Sequence, residues 1–134
     1  MADTVVTEIA VRDLHDVPQA RRAAEAAARG AGMCALDVGI VALVASELAT
    51  NLARHANGGV LSSESGERCV YLESHDQGPG IVNPTLALED GYSTGGGLGI
   101  GLGAVRRLMD TFQLDTSAAG TSLKVGKCCA HTMP

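Results

Sequence analysis

Ser93-Thr-Gly-Gly-Gly-Leu-Gly-Ile-Gly-Leu-Gly-Ala-Val-Arg-Arg-Leu-Met-Asp110 opens as a run of glycines and turns into a helix. Glycine stands at 95, 96, 97, 99, 101 and 103, and over 104–112 the pattern becomes helical. Leu102, Val105, Leu108, Met109 and Phe112 recur at helical spacing and form one apolar face. Ordering so many glycines costs backbone entropy, so a packed domain keeps them where the chain bends sharply or touches a ligand. The helix that follows begins with unpaired N–H groups and the positive end of its dipole, a combination suited to phosphate. A flexible linker has the same composition, so the segments upstream must decide.

The chain of 134 residues is expected to form a single domain, 1–134, large enough to bury a core. With 46% hydrophobic residues but one Phe, two Tyr and no Trp, that core must be aliphatic and rich in alanine. A net charge of −5 with no basic block argues against nucleic acid as a partner. The N-terminus lacks a secretory pattern, and the longest apolar run, 38–45, is short for a membrane span, so a cytoplasmic location is expected. Cys34, Cys69, Cys128 and Cys129 show no metal-ligand spacing, and four reduced thiols are expected.

Residues 4–11 read as a first strand. Asp16 is placed to cap a helix with Pro18 in its first turn, ending near Gly30 and Gly32, with Arg21, Arg22, Glu25 and Arg29 on its wet side. A second helix, with Asp37 as its cap, runs to the Asn57-Gly58-Gly59 turn. It carries an apolar stripe (Val41, Val44, Leu48, Leu52) beside a polar one (Glu47, Asn51, His55). Residues four apart stand one above the other, so Glu47 and Asn51 can address one ligand; a solvated face has the same pattern. Residues 59–63 and 69–75 read as a hairpin, followed directly by Asp76-Gln-Gly-Pro-Gly-Ile81. Residues 82–96, including Tyr92, Ser93 and Thr94, read as a cover over a pocket, with Tyr92 either meeting a ligand or packing the loop down. A closing hairpin spans 112–116 and 121–127.

The ordered set Glu47-x-x-x-Asn51, Asp76-x-Gly78-x-Gly80 and Gly97-x-Gly99-x-Gly101-Leu102, with Gly120-Thr121 near the end, resembles the GHKL ATP-binding superfamily over residues 37–127. Glu47-Leu-Ala-Thr-Asn51, Asp90-Gly-Tyr-Ser-Thr94 and Arg107-Leu-Met-Asp110 look like the small anti-sigma serine/threonine kinases, nearest to the RsbT-type switch kinases of the stressosome. The resemblance implies an α/β (α+β) two-layer sandwich of the Bergerat type: a mixed, mostly antiparallel sheet with helices on one face. It implies ATP and Mg2+ as cofactors, with Asn51 as the metal ligand and Glu47 as general base. Asp76 would accept from the adenine amino group, with Gly78, Gly80 and Ile81 alongside the base. Gly97, Gly99, Gly101 and Leu102 would wrap the triphosphate, and Thr121 would bring a hydroxyl near the adenine. The implied function is phosphorylation of Ser or Thr on a STAS-domain antagonist or stressosome protein, with activation of a PP2C-type phosphatase by binding. The alternatives are an anti-sigma factor that sequesters a sigma factor and a non-catalytic ATP-binding module. His55 is undecided between packing and catalysis.

Gly99-x-Gly101-x-x-Ala104 nominally fits a dinucleotide fingerprint, but it follows a polar loop instead of a strand. No Walker-type motif occurs. No phosphoacceptor His helix precedes Glu47, and no transducer domain follows, so a histidine kinase or a gyrase-like machine is not expected.

Overall fold

The computed structural model describes residues 5–78 and 101–129. Gly80, Ile81, Gly97, Gly99 and the 82–96 cover lie outside the described residues. Among the described residues five strands form one sheet: β1 (Val5–Val11), β2 (Gly59–Ser65), β3 (Cys69–His75), β4 (Thr111–Ser117) and β5 (Gly120–Cys128), in the order β1-β2-β3-β5-β4. The expected mostly antiparallel sheet is antiparallel at every described pairing. Among the described residues three α-helices, α1 (Val17–Gly30), α2 (Ala35–His55) and α3 (Gly101–Leu108), join the sheet in an α+β fold.

Alternation along the strands sets the two faces. Leu61 and Ser63 of β2, Val70 and Leu72 of β3, and Leu123 and Val125 of β5 are buried in the core with the helices. On the opposite face a shallow hollow of about 280 Å³ is lined by Glu8, Glu64, Glu73, Tyr71 and Lys124, among others, away from the expected site residues. The core is aliphatic, as the composition requires. Ala20, Ala24 and Ala28 make a fully buried ridge along α1, and their small size lets α1 and α2 pack closely. Val41, Val44, Leu48 and Leu52 face inward from α2, and burying Leu48 alone contributes about 1.5–3 kcal/mol. On the wet side of α1, Glu25 pairs with Arg21 at 3.3 Å and Arg29 at 3.4 Å. Those exposed pairs add little.

At 21 residues α2 is long and apolar enough to cross a membrane by length and composition, contrary to the reading of 38–45 alone. It is instead a core helix, packed on α1, β2 and β3. Asp37 does not cap it: Cys34 holds the N-cap position, and Asp37 lies in the first turn, where its charge complements the helix dipole. Asp16 does stand at the N-cap of α1, but its Oδ2 accepts from the Arg12 N–H at 2.8 Å, behind the helix.

The expectation of four reduced thiols is overturned. Cys69 and Cys128 face each other across β3 and β5 and form a disulfide, while Cys34 and Cys129 are free. The two bonded residues are 59 apart in sequence, and only the strand register brings them together. Burial, followed by Asp37 and Cys34, pushes the Cys129 thiol above its ordinary range.

Candidate functional site

Glu47 lies in the middle of α2, held by the apolar stripe beneath it. Its Oε1 accepts a hydrogen bond from the Gly101 N–H at 3.2 Å, across 54 residues of sequence. Gly101 is the first residue of α3, so its N–H has no partner within the helix. A carboxylate therefore sits at the positive end of α3, where the glycine-rich stretch becomes helical. Asn51, one turn beyond Glu47 on α2, is half-buried. Its side chain makes no hydrogen bond to another described residue.

The second cluster is at the end of β3. Asp76 Oδ1 accepts from the Gly78 N–H at 2.8 Å and from the Thr121 N–H at 3.1 Å, while Asp76 N donates to the Thr121 carbonyl at 3.0 Å. Two amides thus converge on one carboxylate oxygen, and no described residue donates to the other. This double tie fixes the side chain as a rigid acceptor at the sheet end.

The surrounding turns need glycine. Gly78 has φ +107°, and a Cβ there would stand 2.9 Å from the Ala118 carbonyl. Gly120, at φ +153°, lies against the Asp76 carbonyl so closely that a Cβ would overlap it. The turn between β4 and β5 is therefore pressed directly on the 76–78 turn. Sequence pattern singled out Gly78 and Thr121 but not this contact, which the conjunction of two Gly turns hinted at.

The two clusters lie at the same end of the molecule. A Cβ on Gly59 would meet both Leu52 of α2 and the carbonyl of His75, one residue before Asp76. The turn of α2 that carries Asn51 therefore rests on the strand end that carries Asp76. Leu102 is buried at the start of α3 and anchors that helix. His55, the last residue of α2, is exposed.

Asp110 has a structural part that its place in Arg107-Leu-Met-Asp110 did not reveal. Its Oδ2 accepts from the Cys128 N–H at 2.7 Å, and its own N–H donates to the Gly126 carbonyl at 2.8 Å. Lys127 Nζ donates to the Leu108 carbonyl at 3.0 Å, placing a cation at the negative end of α3. β5 thus holds the C-terminal end of α3.

This arrangement offers a fixed acceptor for an amino group at Asp76 and, at the start of α3, a helix N-terminus whose first amide, Gly101 N–H, is held by Glu47. Among the described residues, no three His, Cys, Asp or Glu side chains group to hold a metal by themselves. A cation carried in by phosphate needs fewer protein ligands, and the amide oxygen of Asn51 suits a hard ion.

The histidine kinase-like ATPase domain model matches residues 10–127. The chain is 37% identical over 117 residues to the serine/threonine-protein kinase RsbT of Bacillus subtilis (strain 168), covering 84% of this chain and 88% of that protein. The crystal structure of the RsbU and RsbW domains of a Mycobacterium tuberculosis protein superposes with a TM-score of 0.62 at 13% identity. That likeness covers 99% of this chain and 35% of the mycobacterial one, so it speaks for the fold alone. With the matched region taking in Glu47, Asn51, Asp76, Gly101 and Thr121, the chain belongs to the histidine kinase-like ATPase domain family.

Proposed function

We propose that this protein is a serine/threonine protein kinase of a partner-switching cascade, acting in the cytoplasm on ATP. The observation that supports it most is the meeting of Glu47 with the Gly101 amide, which sets a base beside the start of a helix suited to phosphate. The 37% identity to RsbT adds the reaction class.

In this reading the outward oxygen of Asp76 accepts from the adenine amino group, which guanine lacks at that position. Gly78 and Gly80 let the backbone approach the base, and Ile81 lies against it. Gly97, Gly99, Gly101 and Leu102 would surround the phosphates, their amides stabilising the charge that builds there. Asn51 ligates the magnesium. Bound Mg-ATP supplies the transferable phosphoryl group and neutralises its charge. Glu47 orients the acceptor hydroxyl and takes its proton.

The acceptor is a Ser or Thr on a separate protein, and we propose a STAS-domain antagonist or stressosome protein. Release would then free the kinase to bind and activate a PP2C-type phosphatase. Mixing the protein with Mg-ATP and cognate STAS proteins should yield phosphoserine or phosphothreonine by mass spectrometry. Glu47→Ala should lower that rate about 100- to 10,000-fold while leaving ATP binding measurable. No phosphate transfer to any cognate candidate, under conditions where ATP binds, would refute the kinase reading. Capture of a sigma factor without phosphorylation would redirect it to an anti-sigma role.

A further inference from the structure

Thr121 is tied to Asp76 through its backbone at both N–H and carbonyl, so its hydroxyl is the part still free to rotate. The residue directly opposite on β4 is Thr116, and the two hydroxyl oxygens are 2.8 Å apart. Both side chains are half-buried. Thr121 precedes Leu123 by two residues and Thr116 follows Leu114 by two, so alternation puts both hydroxyls on the helix-covered face. That is the side on which α2 carries Glu47 and Asn51.

We propose that Thr116 is a positioning residue for base selectivity: its hydroxyl donates to Thr121 Oγ1 and turns the Thr121 proton toward the nucleotide base. The proposal rests on the ATP reading given above. A purine is recognised at this edge by two neighbouring groups. Adenine presents an amino donor beside a ring-nitrogen acceptor; guanine presents a carbonyl acceptor beside a ring N–H donor. The outward Asp76 oxygen complements the first adenine group, and a donating Thr121 hydroxyl complements the second. A hydroxyl left to rotate could accept from the guanine N–H instead. With Thr116 occupying one lone pair and sending the proton outward, that accommodation becomes costly. A site whose polar groups are set for one pattern rejects the reverse pattern by leaving groups unpaired.

The test is calorimetric titration with ATP and GTP, each with magnesium, of wild type, Thr116→Val and Thr116→Ser. Valine keeps the shape and strand preference of threonine, and thermal melting checks that the fold is kept. Thr116→Val should narrow the ATP-over-GTP affinity ratio about 5- to 10-fold, the scale of one hydrogen bond. Thr116→Ser should keep the wild-type ratio within about twofold, and kcat for phosphate transfer at saturating ATP should change little in either variant. If wild type prefers ATP but valine leaves the ratio unmoved, or serine loses as much as valine, the proposal is overturned and the kinase reading stands. If wild type takes up no adenine nucleotide, both fall together.

Discussion

Asp76 uses one carboxylate oxygen to hold its own turn and presents the other outward. Asp76→Asn separates those two tasks, because an amide oxygen can still accept from Gly78 and Thr121. The second group, however, becomes a donor facing the adenine amino group. ATP affinity should fall at least about tenfold by calorimetry, while the melting temperature shifts little. Gly120 differs, since both its φ of +153° and its contact with the Asp76 carbonyl exclude a side chain. Gly120→Ala should cost about 1–3 kcal/mol in urea unfolding and weaken ATP binding as well, by pushing the two turns apart. Asp76, Gly78 and Thr121 were legible as candidates from their motifs alone. Thr116 was not, because a threonine in a strand carries no mark until its cross-strand partner is known.

At the scale of elements, α2 does two jobs with two stripes. The buried stripe seats the helix, and the polar stripe beside it carries Glu47 and Asn51 of the proposed site. Leu48 is 1% exposed and directly follows Glu47, so truncating it leaves a cavity beneath the proposed base. Leu48→Ala should cost about 2–5 kcal/mol by chemical denaturation. Enough folded protein should remain for its phosphate-transfer rate to be measured per folded molecule. The helix over 104–112 read from periodicity is really α3, Gly101–Leu108, with Phe112 already in β4. Leu108, Met109 and Phe112 fit helical spacing, yet Phe112, Leu114 and Thr116 equally fit strand alternation. The Asp110 N–H bond to the Gly126 carbonyl decides the boundary by starting the sheet contact there.

In the whole molecule, β5 is the strand on which the proposed site depends. It lies between β3 and β4, carries Thr121 at one end and is bonded through Cys128 to Cys69 at the other. The disulfide joins residues 59 apart, so reducing it should lower stability by about 2–4 kcal/mol. Urea midpoints with and without dithiothreitol, compared with a Cys69→Ala and Cys128→Ala double variant that should ignore the reductant, check this. A disulfide is uncommon in a reducing cytoplasm, so the same comparison in cell lysate reports which state the proposed compartment maintains. From the sequence by itself came the succession of helices and strands, the aliphatic character of the core and the motifs that mark the nucleotide fold. Those are properties of local period and residue chemistry. The strand order β1-β2-β3-β5-β4, the Cys69–Cys128 bond, the Glu47–Gly101 contact and the Thr116–Thr121 pair were decided only by tertiary structure. Each depends on which distant segments packing brings side by side, and a strand displaced by one residue would turn every one of its side chains to the other face.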